Sequence, residues 1–174
     1  MTARVRTTRL ELVAKSKADV QAMIDSMSPY EKAQMSADWL ARFAASSATD
    51  PWIHGFTAVR SADHETVGTG GFATPPIDGM VEIAYGVEEQ FRNRGYAQEI
   101  ARGLVAFVLA ASDVEVIRAH TLPDGIASQQ VLLKNGFERV GEIDHPDDGL
   151  VWRYERYRRT AGGQPADVTI VALD

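Results

Sequence analysis

The interleaving of strand-type and helix-type hydrophobic patterns predicts a mixed α/β fold, a sheet with helices on both faces. Three observations carry that expectation. Strand and helix patterns alternate along the chain rather than segregating into blocks. A strand over Met80–Val87, a helix from about Tyr96 to Ala111 and a strand over Val114–His120 follow one another, a span long enough for a right-handed parallel crossover. The 174 residues, 45% hydrophobic and 24% charged, suit a single domain that folds without disulfides or a structural metal.

Taken in order, Val5–Val13 reads as a first strand, and Ser16–Met27 as a helix with Val20, Met23, Ile24 and Met27 at helical spacing. Ser28 and Pro29 open a second helix expected to reach about Ala45, with Met35, Trp39, Leu40 and Phe43 on its apolar face. Ser46–Pro51 is polar and turn-like. Phe56–Arg60 and Thr66–Phe72 read as strands, the second weakened by Gly68, Gly70 and Gly71. After the crossover come a short helix over Ala127–Lys134, stopped at Gly136, and two strands, Phe137–Ile143 and Leu150–Tyr157. The domain is expected to cover residues 1–159, with 160–174 as a tail or an additional strand.

Composition removes several classes of function. Without cysteine there is no disulfide framework, thiolate zinc site, iron–sulfur cluster or cysteine nucleophile. His54, His64, His120 and His145 form no HExxH pair, and no metal is expected. A net charge of −6 disfavours a generic nucleic-acid binder, although a local basic patch stays open. No apolar run approaches membrane-spanning length, and Met1–Leu12, with Arg4, Arg6 and Arg9, lacks a signal-peptide core, so the expected location is cytoplasmic.

The chemistry is concentrated between Gln90 and Ala97. A loop that joins a strand to a helix, with Gly95 at its turn, sets backbone N–H groups and the positive end of a helix dipole against an anion, a pyrophosphate above all. Arg92 and Arg94 add charge. The loop is neither a G-x-x-x-x-G-K-[ST] nor a G-x-G-x-x-G motif.

What stands there is R-x-x-G-x-A, Arg92 through Ala97. It resembles the acyl-CoA pyrophosphate loop of the GNAT superfamily of N-acetyltransferases. Ala127-Ser128-Gln129-Gln130-Val131-Leu132-Leu133-Lys134-Asn135-Gly136-Phe137 resembles the second signature of that superfamily, and Thr8-Arg9-Leu10-Glu11-Leu12 the opening of its ribosomal-protein N-terminal (alanine) acetyltransferase branch. The likeness runs from about Thr7 to Arg158. It implies a GNAT-like, mostly antiparallel sheet with a central parallel strand–helix–strand crossover, and acetyl-CoA as co-substrate. It also implies cofactor contacts from Tyr85, Gly86, Val87, Arg92, Asn93, Arg94, Gly95, Tyr96, Ala97 and Lys134. Two places depart from the family pattern: Gly125 replaces a frequent asparagine, and Leu132 stands where many relatives carry a general-acid tyrosine.

Strand alternation sets Glu82 on one face with Ala84 and Gly86, a carboxylate beside open space. Glu82 is either the base that deprotonates the amine, as an acidic residue near this place does in related enzymes, or a solvated ion-pair partner. Gly86 permits a bulge that frees an N–H near Tyr85–Val87 for the thioester oxygen, or else only relieves crowding. Ser128 caps its helix or reaches the departing sulfur. Lys134 touches a phosphate or is merely solvated. Trp39, Trp52, Trp152 and Tyr154 are core or pocket aromatics. Arg153–Arg159, with four arginines, is a solvated edge strand or a patch for an acidic peptide or an RNA-bound substrate. His120 is structural, or belongs to the site.

The function expected is transfer of an acetyl group from acetyl-CoA to a primary amine, on a protein N-terminus or a small molecule, by direct attack, with Glu82 and Ser128 catalytic. The alternative is a catalytically silent acyl-CoA-binding sensor or regulatory module. A homodimer is compatible with the sequence.

Overall fold

A computed structural model describes residues 2–146, 148–158 and 167–172. The N-terminal apolar run is a hairpin, not the single strand its alternation suggests. β1 (Arg4–Arg6) and β2 (Leu10–Ala14) pair antiparallel, with Val5 opposite Leu12. No Gly, Pro or Asn marks the turn. The Thr7 N–H donates to Leu10 O at 2.9 Å, and the Thr7 hydroxyl accepts from Leu10 N at 3.2 Å.

Two capping boxes start the helices that follow. Ser16 with Asp19 opens α1 (Lys17–Ser26), and Ser28 with Glu31 opens α2 (Pro29–Ala33). The long second helix expected to reach Ala45 is broken. The Ser36 hydroxyl accepts from Trp39 N at 3.3 Å and starts a separate α3 (Ala37–Ala45), because a serine near the backbone competes with the helix it interrupts. Asp50 caps the short α4 (Pro51–His54). Val20, Ile24, Phe43 and Ile53 from these elements bury together as a small cluster of their own, flanked by Met35 and Trp39.

Seven further strands and two helices follow among the described residues: β3 (Phe56–Arg60), β4 (Thr66–Phe72), β5 (Met80–Val87), α5 (Tyr96–Ala111), β6 (Val116–Thr121), α6 (Ile126–Lys134), β7 (Glu138–His145), β8 (Gly149–Tyr157) and β9 (Thr169–Ala172). The nine strands form one sheet in the order β7-β8-β6-β5-β4-β3-β2-β1-β9. Among the described residues β5 and β6 pair in parallel and the other neighbours antiparallel. β9 pairs with β1 and forms one edge. β8 lies between β6 and β7, so the basic segment expected at an edge is interior to the sheet. Arg158 from that segment donates to Leu109, Ser112 and Val114 carbonyls at 3.2, 2.7 and 2.8 Å, closing the end of α5; Arg159 lies outside the described residues.

α5 is buried along one side, through Ile100, Ala101, Leu104, Val105, Phe107 and Val108. It packs against apolar residues of the sheet, including Leu12, Phe56, Val81 and Ile83. Trp52 joins this core, its ring centroid 4.7 Å from Phe72 and 5.0 Å from Phe107. The approach of α5 is close: a Cβ on Gly103 would stand 2.5 Å from Leu12 Cδ1.

One feature of the sheet positions the site. β5 pairs with β6 only from Met80–Glu82 against Val116–Arg118. β5 then continues through Val87, bound to β4 alone, while β6 diverges. A wedge-shaped opening therefore lies between the upper halves of the two parallel strands.

Candidate active site

The loop after β5 turns twice through left-handed conformations, at Asn93 (φ 63°) and Gly95 (φ 82°). Gly95 is the N-cap of α5 and supplies no side-chain cap. The first N–H groups of α5 therefore have no intrahelical carbonyl and no capping side chain. Together with the left-handed turns they form a concave set of donors at the positive end of a 16-residue helix.

Arg9, which the sequence reading passed over, fixes this loop from 85 residues away. Its Nη2 donates to Arg94 O at 2.9 Å, its Nε donates to Glu99 Oε2 at 2.5 Å, and its guanidinium lies 4.5 Å from the Tyr96 ring centroid. Arg60 adds a second brace: it holds Asp63, donates to the Tyr96 hydroxyl at 3.4 Å and stacks over Phe91 at 5.1 Å. Arg60 keeps the Asp63 carboxyl low, at about 2.

A cleft of about 520 Å³ opens above the loop, between β5, α5 and α6. Tyr85, Gly86, Val87, Arg92, Asn93, Gly95, Tyr96, Ala97, Ser128 and Lys134 all line it. Arg94, expected to contact phosphate, is not among these residues: its carbonyl is held by Arg9 and its guanidinium sits 5.8 Å from the Phe91 ring centroid. Arg92 lines the cleft while its Nε donates to Val87 O at 3.2 Å.

The opening needs no bulge at Gly86, because the β4–β5 register is continuous; divergence of β6 produces it. Backbone groups alternate sides along β5. Glu82 O accepts from Ala73 N at 3.0 Å and Glu88 N donates to Val67 O at 2.9 Å, both towards β4. Tyr85 and Val87 therefore direct their N–H groups the other way, into the cleft.

Ser128 does not cap α6, whose N-cap is Gly125. Its hydroxyl lies instead 3.3 Å from the Tyr85 hydroxyl, a pair spanning the cleft. Burial pushes the Tyr85 phenol above its usual value, against a smaller lowering by Ser128, so it stays a proton donor at neutral pH. Leu132, at the place of the family's tyrosine, is fully buried in the core.

Glu82 faces away from this cleft, on the opposite side of the sheet, and joins a chain of polar contacts. His120 Nδ1 is 2.7 Å from Glu82 Oε1, and Arg153 Nε donates to His120 Nε2 at 3.2 Å. An arginine only donates, so His120 Nε2 accepts and the ring proton sits on Nδ1, pointing at Glu82. A second cavity, of about 420 Å³, includes Ala84 and Gly86 from the Glu82 face of β5 together with Lys15, His54, Gly55 and Gly71. Tyr85 and Gly86 line both cavities, and a Cβ on Gly86 would meet nothing within 4 Å. The two spaces meet across one strand.

This geometry agrees with what known proteins show. The family model of the acetyltransferase (GNAT) domain matches residues 6–138, most of the chain and the whole loop–helix–cleft assembly. The chain belongs to the GNAT acetyltransferase family. The resemblance inferred from the three motifs therefore holds. An uncharacterized N-acetyltransferase of Bacillus subtilis (strain 168), YjdG, is 35% identical over 89 residues, 51% of each chain, so the match spans about half the length of that relative. Two solved structures share the fold of this GNAT domain. A ribosomal L7/L12 alpha-N-protein acetyltransferase in complex with coenzyme A superposes with a TM-score of 0.62 at 19% identity, covering 87% of this chain and 95% of that one. A spermidine N-acetyltransferase chimera from Vibrio cholerae and a second acetyltransferase gives 0.63 at 15% identity, covering 86% and 96%. No helix among the described residues is long and apolar enough to cross a membrane.

Proposed function

We propose that the protein transfers an acetyl group from acetyl-CoA to a primary amine by direct attack. The observation that carries this reading is the meeting of the two cavities at Tyr85–Gly86: the first is lined by an uncapped helix start, and the Glu82–His120 pair stands on the face of β5 that borders the second, two residues before Ala84. The cleft fits acetyl-CoA in chemistry. Unpaired N–H groups at Gly95–Gln98 suit a pyrophosphate, and the apolar walls Ala127 and Val131 suit a pantetheine chain. Acetyl-CoA, when bound, supplies an acyl carbon activated as a thioester.

The chain's own groups do the rest. Arg92, Asn93, Gly95, Tyr96 and Ala97 hold the phosphates, with Lys134 at the rim. The Tyr85 and Val87 N–H groups donate to a carbonyl oxygen in the wedge. On the other face Glu82, oriented by His120, accepts the proton that an ammonium must lose before it has a lone pair to attack with. Ser128, paired with the Tyr85 hydroxyl, is placed to return a proton to a thiolate; this gives the site an acid where Leu132 gives none. The acceptor is a protein N-terminus or a small-molecule amine, the two kinds of acceptor that the names of the two structural neighbours carry.

The test is release of CoA thiol in the presence of acetyl-CoA and an amine panel; a protein without cysteine gives no background. Glu82→Gln is expected to slow turnover at least tenfold with acetyl-CoA affinity kept within about twofold. Unchanged turnover at saturating substrates removes Glu82 from its role. Acetyl-CoA binding without thiol release from any amine overturns the transferase reading in favour of a silent acyl-CoA sensor.

A further inference from the structure

The second cavity has almost no side chains in its floor. Gly71 on β4, Ala84 and Gly86 on β5 and Gly55 just before β3 leave a bare track on this face of the sheet. Gly55 lies against β4 so closely that a Cβ there would stand 2.7 Å from Gly70 O, and Gly71 is paired with Ala84 on β5. At the far end of the track stands Lys15, whose N–H bonds Gly55 O at 3.0 Å. At the near end, two residues before Ala84 on the same face of β5, stands Glu82 with His120.

Among the described residues Lys15 is the one lysine or arginine that lines this cavity. His54, the other titratable lining residue besides Tyr85, has both ring nitrogens engaged by the protein: Nδ1 lies 3.1 Å from Asp50 N and 3.2 Å from Lys15 O, and Nε2 lies 2.9 Å from Ser46 Oγ. Among the described residues no carboxylate lines the cavity. Burial without a counter-ion pulls the Lys15 amine below its usual value, so an anion brought to it regains what burial costs.

We propose that Lys15 selects the acceptor: the cavity takes a primary amine joined to a carboxylate, with the amine end at Glu82–His120 and the carboxylate on Lys15. Strands stand ~4.8 Å apart, so the track from β5 back past β4 sets a separation of roughly 5–10 Å between the two groups. An acidic side chain beside a free peptide N-terminus supplies that spacing, and so does a small amino acid with a flexible chain. A plain polyamine does not, because its second cation meets Lys15. This inference rests on the acetyl-transfer reading only in taking the second cavity as the acceptor side.

The experiment is acceptor binding to the intact protein saturated with CoA, measured by calorimetric titration, which needs no turnover. The probes are two matched pairs: 6-aminohexanoate against hexylamine, and the tripeptide amides Ser-Asp-Gly against Ser-Asn-Gly. The carboxylated member of at least one pair is expected to bind ten times tighter or better, and the pair that responds identifies the source. Lys15→Met should bring that ratio to within twofold, while Lys15→Arg, which keeps the charge, should preserve most of it. Equal affinities within both pairs, a ratio that survives Lys15→Met, or no binding of any probe to protein that binds CoA each overturns the proposal. A preserved ratio without thiol release overturns the transferase reading instead, so the two failures are separable.

Discussion

Arg9→Met tests whether the pyrophosphate loop is pinned from the N-terminal hairpin. The substitution keeps a long apolar stem and removes three interactions. The first is the pairing with Glu99, whose side chain is 12% exposed while that of Arg9 is 45% exposed. Discounted for that exposure, the pair contributes about 1 kcal/mol. The bond to Arg94 O, charge-assisted but solvated, contributes about 1 kcal/mol. The stacking over Tyr96 adds about 0.5 kcal/mol. The sum, about 2.5 kcal/mol, corresponds to a fall in Tm of roughly 5–10 °C for a domain of this size. Arg94 O is held in the loop itself, so losing its anchor also loosens the donors of Asn93–Ala97, and acetyl-CoA affinity should fall about tenfold. Thermal denaturation and an acetyl-CoA titration of the two proteins read both effects. A Tm within 1 °C of the parent refutes the energetic argument. A lower Tm with unchanged affinity refutes the claim that Arg9 organises the loop.

Two other expectations follow from the same region. Gly95→Ala places a Cβ on a residue at φ 82°, about 1–2 kcal/mol of strain, and sets that carbon 3.1 Å from Arg9 Nη2, so acetyl-CoA affinity should drop at least fivefold in a titration; unchanged binding would show that the turn is not the cradle. Asp63→Asn acts on stability against pH: the folded-state value near 2 lies below the unfolded one near 4, so the Asp63–Arg60 contribution is complete above pH 4 and is lost as pH falls towards 2. The variant should be less stable than the parent at pH 7 and converge with it near pH 2, which chemical denaturation at the two pH values checks; a constant difference sinks the linkage.

The central elements were legible because each carried agreeing local signals. β3, β4, β5 and α5 lie where alternation, helical spacing and the Gly95 turn place them. The errors fall where a hydroxyl substitutes for a breaker residue: Thr7 turns a hairpin inside an unbroken alternation, and Ser36 restarts a helix inside a continuous apolar stripe. In the site, the loop of the first cleft was readable because Arg92–Ala97 is one contiguous run of backbone. The residues missed, Arg9 and Lys15, act through contacts between distant segments that no spacing rule encodes. His120 meets Glu82 only because the parallel crossover sets β6 beside β5. For Arg94 the charge is visible in the sequence, but the direction of its side chain, towards the Phe91 ring, is not.

That the two cavities meet at Tyr85 and Gly86 gives the chain a division of labour along its own length. The residues that line the first cleft come from two runs in the second half of the chain, Tyr85–Gln98 and Ala127–Lys134, whereas the second cavity draws mostly on residues from Lys15 to Phe72. Apart from the Arg9 and Arg60 braces, the earlier segment can be rewritten to admit a different nucleophile while the later one keeps the same leaving group. A chimera that joined the first 72 residues of a relative to the remainder of this chain would inherit its selectivity from one parent and its acyl donor from the other.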